Sequence, residues 1–201
     1  MFGLVMMNQL PERVPVHWGL DGKVDGYASR ETTVWFGPVV GLVAWAALTI
    51  IPKLDPIKQT RTLNVMTLRR YANAMAIFMV VIHLSVLLNG LGWAVSVPRL
   101  VMAGTGGLMA ALGNELGRLR HNSFAGIRTP WTLADDEVWR QSHRVGGRMV
   151  MGCGLVMVAL ALLAPVELMM WGMLVVTAFM VVGMIGYSYW VAARKRRATS
   201  L

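Results

Sequence analysis

Apolar residues are grouped into five stretches that are long enough, or nearly so, to cross a bilayer, which takes about 20 mostly apolar residues. They cover residues 33–51, 73–93, 100–116, 146–164 and 168–192. The third stretch is the shortest and is rich in glycine. Small residues let membrane helices approach closely. We therefore expect the third span to be buried among the other four, with Gly107 inside and Asn114 hydrogen-bonded at its inner end. Residues 1–10 are apolar but span only about half the required length.

The composition agrees with a membrane protein and excludes other classes. Of 201 residues, 56 % are hydrophobic and 14 % are charged, and the mean hydropathy is +0.54. Soluble domains have about 25 % charged residues, so this chain has too few charges to cover a soluble globule. It is also too apolar to be disordered. Its single cysteine, Cys153, excludes a disulfide scaffold and is expected to be a buried small side chain. The predicted fold class is an all-α polytopic membrane protein.

The basic residues alternate between the connections, and this alternation predicts the orientation. The net charge is +9, and 15 of the 19 Lys and Arg residues fall in residues 52–72, 114–148 and 193–201. The remaining four are Arg13, Lys23 and Arg30 within residues 1–32, and Arg99 between the second and third stretches. Lys and Arg are enriched in cytoplasmic loops. The pattern therefore places residues 1–32 outside and the C-terminus in the cytoplasm. A charge distribution that topology explains gives no support to nucleic-acid binding.

The outer segment, residues 10–30, reads LPERVPVHWGLDGKVDGYASR. Its first part favours an extended strand, and its two Asp-Gly pairs are strong turn signals. We expect a small hairpin or a turn-rich cap on the membrane surface. A single histidine without neighbouring ligands does not predict a metal site. The candidate residues of this segment are Pro15, His17, Trp18, Asp21, Gly22, Asp25 and Gly26.

A second polar segment, residues 113–147, connects two predicted spans; we call it the signature segment. Thr129 must be extended because it precedes Pro130. Thr132 resembles the start of a capping box, and the acids at 135–137 suit the first turn of a helix. A helix is therefore predicted from near Leu133 into the next span. It would carry two stripes at i, i+4 spacing: Asp136, Arg140, Arg144 and Arg148 on one, and Asp135, Trp139 and His143 on the other.

Two interpretations of the signature segment remain open at this point. It is either a juxtamembrane helix with a solvated basic face, or a segment of fixed shape with a functional role. The second interpretation is favoured by residues that restrict the backbone or pack, since a solvated connection does not need them. A guanidinium beside Pro130 could be aimed at a carboxylate, a lipid phosphate or a partner. The candidate residues are Asn114, Asn122, Gly126, Arg128, Thr129, Pro130, Trp131, Glu137, Trp139, His143 and Arg144.

One pattern runs through the signature segment: Gly113-Asn114, Asn122, GIRTPWTL at 126–133, and then Glu137, Trp139, His143, Arg144 and Gly146. This pattern resembles the signature of the SdpI family. The outer segment resembles the extracytoplasmic module of unknown function that usually precedes that signature. This chain departs from the family at its start, where only residues 1–10 stand in place of a full first helix. The resemblance therefore implies a six-helix protein of the bacterial plasma membrane, here with five full helices and a truncated N-terminal segment.

The resemblance also implies a function and partners. Family members are named for immunity to a secreted, membrane-disrupting toxin peptide, and signalling through sequestration of a transcriptional repressor is implied as well. The implied partners are the bilayer, a toxin peptide outside and a repressor inside, without direct nucleic-acid binding.

The predicted organisation has three parts. They are an outer segment at 1–32, two spans around the basic loop 52–72 within 33–112, and the signature segment with two spans and a basic tail at 113–201.

Other function classes gain little from the sequence. No H-E-x-x-H helix and no G-x-S-x-G elbow occurs, so an enzyme is not predicted. No cofactor or metal site is predicted either, since His121 and His143 match no ligand spacing. A small transporter or channel is the alternative, in which the intramembrane polar residues His83, Asn89 and Asn114 would line a path.

Overall fold

The computed structural model describes residues 2–54 and 58–199. The elements are α1 (Phe2–Met6), a 3-10 turn (Met7–Gln9), β1 (Arg13–Trp18), β2 (Val24–Ser29), α2 (Arg30–Ile50), a second 3-10 turn (Ile51–Leu54), α3 (Lys58–Gly90), α4 (Val97–Leu116), α5 (Pro130–Ala134), α6 (Asp136–Leu163) and α7 (Val166–Thr199). Residues 55–57 of the predicted loop and residues 200–201 of the predicted tail lie outside the described residues. The helical polytopic fold class is confirmed.

Four helices in the described part of the chain are long and apolar enough to cross a membrane. They are α2, α6, the stretch Asn64–Gly90 of α3 and the stretch Val166–Ala198 of α7. The glycine-rich span is helix α4, which has 20 residues. It falls outside this group because its glycines and Arg99 lower its hydropathy. It still packs between α3 and α6 as the fifth long helix of the bundle.

Two helices extend beyond the spans that hydropathy predicted. Helix α3 begins at Lys58, so residues 58–72 are helical and do not form the predicted loop. Helix α6 begins at Asp136 and runs into the predicted span at 146–164, close to the helix start predicted near Leu133. Hydropathy marks where apolar side chains end, whereas a helix continues until a breaker stops it. Neither glycine nor proline occurs between Lys58 and Asn89.

The outer segment forms an antiparallel hairpin, as predicted, from β1 and β2. Asp21-Gly22 is the turn, and Gly22 has φ +73°, a conformation that glycine adopts without steric cost. The second predicted turn, at Asp25-Gly26, is wrong. These residues lie within β2, where Gly26 opposes His17 at an irregularity of the register. A Cβ on Gly26 would stand 2.8 Å from the His17 Cβ, so the close pairing requires glycine.

The hairpin is fixed to the helices by an apolar cluster. The end of the bundle that carries this cluster is called the hairpin face. Leu10, Val14, Val34 and Leu87 form this cluster, and Val14 is fully buried. At the tip, Gly22 lies against Val166 at the start of α7. The hairpin therefore spans from the α2–α3 pair to the α6–α7 connection. The opposite end of the bundle, which carries the signature segment, is the loop face.

Helices α4 and α6 pack closely through glycines. A Cβ on Gly106 would lie 2.5 Å from the Gly154 carbonyl oxygen, and one on Gly113 would lie 2.6 Å from that of Gly147. Glycine at these positions allows the two backbones to touch. The prediction that Gly107 is buried is wrong, because that position is exposed with open space around it. The glycines at 106 and 113 share the buried face, whereas 107 is turned about 100° away from 106.

Candidate functional site

The signature segment is built from two successive helix caps. Thr129 is extended, as predicted, and its side chain accepts a hydrogen bond from the Thr132 amide to form a capping box at the start of α5. The prediction that Thr132 itself begins the helix is wrong, since Thr132 occupies the third helical position. Asp135 then interrupts the helix with φ −150° and ψ 120°, and its carboxylate accepts from the amides of Glu137 and Val138. The chain therefore turns sharply between α5 and α6.

Three aromatic rings stack at the centre of the loop face, contributed by His121, Trp139 and His143. The His121 and Trp139 centroids are 4.8 Å apart, and the Trp139 and His143 centroids are 3.9 Å apart. Trp139 is 2 % exposed and donates its indole N–H to the Leu119 carbonyl at 2.9 Å. The predicted stripe of Asp135, Trp139 and His143 is therefore not an exposed face, because two of its members form the core of the segment.

His143 holds the backbone of the segment against α6. Its Nε2 accepts a hydrogen bond from the Ile127 amide at 2.9 Å, while its Nδ1 lies 2.8 Å from the Trp139 carbonyl. Only a neutral ring with its proton on Nδ1 satisfies both contacts. Gly126 has φ +114°, and a Cβ there would overlap the His143 ring. Gly126 and His143 thus depend on each other, since a side chain at position 126 would displace the ring.

Two asparagines replace missing backbone partners in the segment. Asn122 is 1 % exposed; its amide donates to the carbonyls of Arg120 and Ala125, and its oxygen accepts from the amides of Phe124 and Ala125. Asn64 on α3 binds both the amide and the carbonyl of Arg120, at 2.9 and 3.1 Å. Sequence reasoning missed Asn64. The signal was present, because Asn64, Thr67, Leu68 and Tyr71 recur at helical spacing and all are buried.

A nearly buried carboxylate connects α3 to the end of α4. Glu115 has a side chain that is 9 % exposed, and it accepts from Arg70 at 2.8 Å and from Arg118 at 2.6 Å. Sequence reasoning treated Glu115 only as the end of a span. The neighbouring Asn114 is exposed, and its side chain makes no hydrogen bond within residues 2–54 and 58–199. The predicted hydrogen bond at the inner end of α4 is therefore formed by Glu115 and not by Asn114.

The segment is also attached to α7. The Trp131 indole donates to the Ser188 hydroxyl at 2.9 Å, and the Trp131 ring meets Tyr189 edge to face. Asp135 pairs with Lys195 at 2.6 Å. The hydrogen bond from Lys195 and those from two backbone amides hold the pKa of Asp135 below its usual value. The signature segment therefore binds α3, α4, α6 and α7 together at the loop face.

The three charged candidates of the segment, Arg128, Glu137 and Arg144, remain at the surface. Arg128 and Arg144 are exposed, and Glu137 pairs with Arg140 at 2.6 Å and accepts from Gln141 at 2.6 Å. Arg128 has a fixed backbone, since His143 holds Ile127 on one side and the capping box holds Thr129 on the other. Its guanidinium makes no hydrogen bond or ion pair in the described part of the chain. Its positive charge is thus carried on a backbone that is held on both sides.

The outer candidates are arranged around the hairpin turn. His17 Nδ1 lies 2.5 Å from Asp25, and the Asp21 carboxylate accepts from the Lys23 amide at 3.1 Å, which stabilises the turn. Pro15 pairs with Tyr27, and Trp18 pairs with Val24. Among the residues that the structure describes, no three His, Cys, Asp or Glu side chains are grouped closely enough to hold a metal ion.

The intramembrane polar residues make separate contacts. His83 packs against Gly37 of α2, where any side chain would collide with the imidazole. Asn89 donates to the Val95 carbonyl at 3.1 Å and so shapes the α3–α4 connection at the hairpin face. Asn114 lies near the other end of α4, at the loop face. These contacts give no support to a path lined by the three residues, which the transporter alternative requires.

The fold and this site define a multi-pass helical membrane protein whose loop face is held by one ordered segment. Residues 118–188 match the model of the SdpI/YfhL protein family, and residues 1–42 match a domain of unknown function, DUF1648. The chain is 29 % identical over 158 residues to the Immunity protein SdpI of Bacillus subtilis (strain 168), covering 79 % of this chain and 73 % of that protein. No solved structure matches significantly. The predicted resemblance is confirmed over residues 118–188, which match the model of that family.

Proposed function

We propose that this protein gives its cell immunity to a secreted, membrane-active toxin peptide, and that the signature segment does so by holding the helices in one arrangement. The name of the Bacillus subtilis relative supports immunity. The observation that carries the mechanism is the stack of His121, Trp139 and His143, whose hydrogen bonds reach the backbone of the segment on both sides. A bundle locked in this way resists insertion of a peptide between its helices.

The hairpin is the surface that would meet the toxin first in the predicted orientation. Val16, Leu20 and Tyr27 are 38 %, 44 % and 51 % exposed there, although they belong to a small, ordered element. Exposed apolar side chains on a fixed scaffold suit contact with an amphipathic peptide or with the membrane surface. This orientation, with residues 1–32 outside a bacterial plasma membrane and the C-terminus inside, is part of the proposal.

Signalling is the second candidate function, and the presentation of Arg128 favours it. The resemblance implies that a transcriptional repressor is held at the membrane. A guanidinium that is carried on a fixed backbone and has no partner in the described residues suits a carboxylate of such a protein. The two functions therefore depend on different residues. Locking of the helices depends on Trp139 and His143, and docking of the repressor depends on Arg128.

Two variants separate these functions when they are expressed in a toxin-sensitive host. Trp139→Ala removes a buried aromatic side chain, which costs about 3–5 kcal/mol, so protein level and survival are expected to fall together. Arg128→Ala is expected to leave protein level and survival unchanged and to abolish repressor recruitment to the membrane fraction. Trp190→Ala, at a 52 % exposed position, and Arg69→Ala, at an exposed position of α3, are the matched controls.

The outcomes are distinct for the two functions. Full survival of the Trp139→Ala strain at normal protein level would refute the locking mechanism. Unchanged recruitment in the Arg128→Ala strain would refute docking at that residue. A host that expresses the wild-type protein and remains as sensitive as the empty host would refute immunity itself.

A further inference from the structure

A basic groove lies on the loop face between the signature segment and the start of α6. It encloses a cavity of about 1600 Å³. Its basic lining comes from two sides. Arg118 and Arg120 lie in the connection that follows α4, and Arg140, Arg144 and Arg148 lie on α6, together with Lys195 of α7. The toxin and repressor functions proposed above make no use of this groove.

The carboxylates that line the groove are already paired. Asp135 pairs with Lys195 at 2.6 Å, Asp136 with His121 at 2.5 Å, and Glu137 with Arg140 at 2.6 Å. Arg118 pairs with Glu115 below the groove. The lining holds six Lys and Arg side chains against the three carboxylates of Asp135, Asp136 and Glu137, so the net charge of the groove is positive.

Three guanidinium groups are left over. Arg120, Arg144 and Arg148 are exposed, and their side chains make no hydrogen bond or ion pair within the described ranges. Arg144 and Arg148 are one helical turn apart on α6 and point to the same side. Guanidinium groups bind phosphate oxygens in a fork geometry. The groove therefore offers a cluster of donors that suits a phosphate group.

The face of α6 that carries Arg144 and Arg148 continues beyond the groove. Arg144 and Arg148 continue at helical spacing into Gly152, Leu155 and Ala159, all of which are exposed. Leu155 is 57 % exposed, and a Cβ on Gly152 would meet no atom within 4 Å. An open apolar strip thus begins where the basic cluster ends. A phosphate that carries an acyl chain fits both parts, whereas a soluble anion would use only the first.

We propose that this groove binds the phosphate of an anionic phospholipid, with Arg144 and Arg148 on the headgroup and the acyl chain along Gly152 and Leu155. Basic pockets between membrane helices at the cytoplasmic interface are known to bind such headgroups. Arg120 closes the headgroup from the side of the signature segment. The lipid becomes a further connection between that segment and α6.

The test uses the purified full-length protein in detergent, with tail-labelled phosphatidylglycerol as the probe and fluorescence anisotropy as the measurement. The double variant R144Q/R148Q is expected to bind phosphatidylglycerol about tenfold or more weakly. The double variant R69Q/R196Q removes the same charge from exposed positions outside the groove and is expected to bind within about twofold of the wild type. Unlabelled phosphatidylcholine should compete poorly.

Each other outcome overturns the proposal. If both double variants lose affinity for phosphatidylglycerol to the same extent, the lipid is held by general electrostatic attraction and not by a site. Equal competition by phosphatidylcholine would exclude an anionic site. Inorganic phosphate that competes as well as the lipid would assign the groove to a free anion, and a glutamate-rich peptide that competes better would assign it to a protein partner. If R144Q/R148Q does not fold, R144K/R148K must bind more weakly than the wild type, because lysine lacks the fork geometry; equal binding would refute the site.

Discussion

At the scale of single residues, Gly126 shows how one backbone conformation fixes the signature segment. Its φ of +114° and its contact with the His143 ring both exclude a side chain. Gly92 provides a comparison, since it has φ +86° but open space around it. A left-handed backbone alone costs a non-glycine residue about 1–3 kcal/mol. Substitutions at the two glycines therefore distinguish the cost of backbone strain from the cost of steric overlap.

We expect Gly126→Ala to lower the free energy of unfolding by more than Gly92→Ala does. The second variant pays only for the backbone, about 1–3 kcal/mol, whereas the first also displaces the imidazole from the Ile127 amide. Thermal unfolding in detergent measures the difference. Equal melting temperatures for the two variants would show that the His143 contact contributes nothing to stability.

The ion pair between Asp135 and Lys195 predicts a pH dependence with a definite sign. The folded pKa of Asp135 lies below its ordinary value of 3.8, so the ionised form stabilises the folded state. This contribution is present above the ordinary pKa and is lost as the pH falls through the folded pKa. Because both side chains are partly exposed, it amounts to less than about 1 kcal/mol.

Asp135→Asn keeps a capping side chain and removes the charge. We expect the variant to be slightly less stable than the wild type at pH 7, and the difference to shrink as the pH falls below 3.8, the ordinary pKa of the group. Chemical denaturation at several pH values measures it. A difference that is independent of pH would assign the effect to the cap alone. Lys195→Gln is the reciprocal variant and should behave in the same way.

At the scale of elements, the sequence predicted which residues form helices better than which faces they bury. The hairpin, the five long helices and the extended Thr129 could be read from apolar runs, turn residues and proline. The burial of Trp139 could not, because a stripe at i, i+4 spacing has the same pattern whether it faces water or a folded loop. That choice depends on the Leu119 carbonyl, 20 residues away along the chain.

The α4–α6 interface predicts a sharp contrast between neighbouring glycines. Gly106→Ala places a Cβ 2.5 Å from the Gly154 carbonyl oxygen, so the helices must separate. Gly107→Ala enters open space and gains helix propensity of about 1 kcal/mol. We expect the first variant to lower the melting temperature and the second to leave it unchanged or raise it. Similar destabilisation by both variants would refute the close contact of the two backbones.

At the scale of the whole molecule, both ends of the bundle are closed by non-helical segments. Asn64 reaches Arg120 and Trp131 reaches Ser188, contacts that join residues 56 and 57 positions apart. No local pattern predicts such pairs, since Asn64 and Ser188 are short polar side chains that suit many environments. Buried polar groups in an apolar bundle nevertheless require partners. Asn64 and Ser188 could therefore be suspected of a structural role, although their partners could not be named.

The orientation proposed above rests on the charges of the molecule and is open to a direct test. Fifteen of 19 basic residues fall on the side of the loop face, and positively charged loops remain in the cytoplasm. With Cys153 replaced by serine, K23C in the hairpin is expected to react with a membrane-impermeant thiol reagent in intact cells. R128C in the signature segment is expected to react only after permeabilisation. Both positions are exposed, so accessibility reports the side of the membrane. The reverse labelling pattern would invert the topology and would place the signature segment, with its lipid groove and unpaired Arg128, outside the cell.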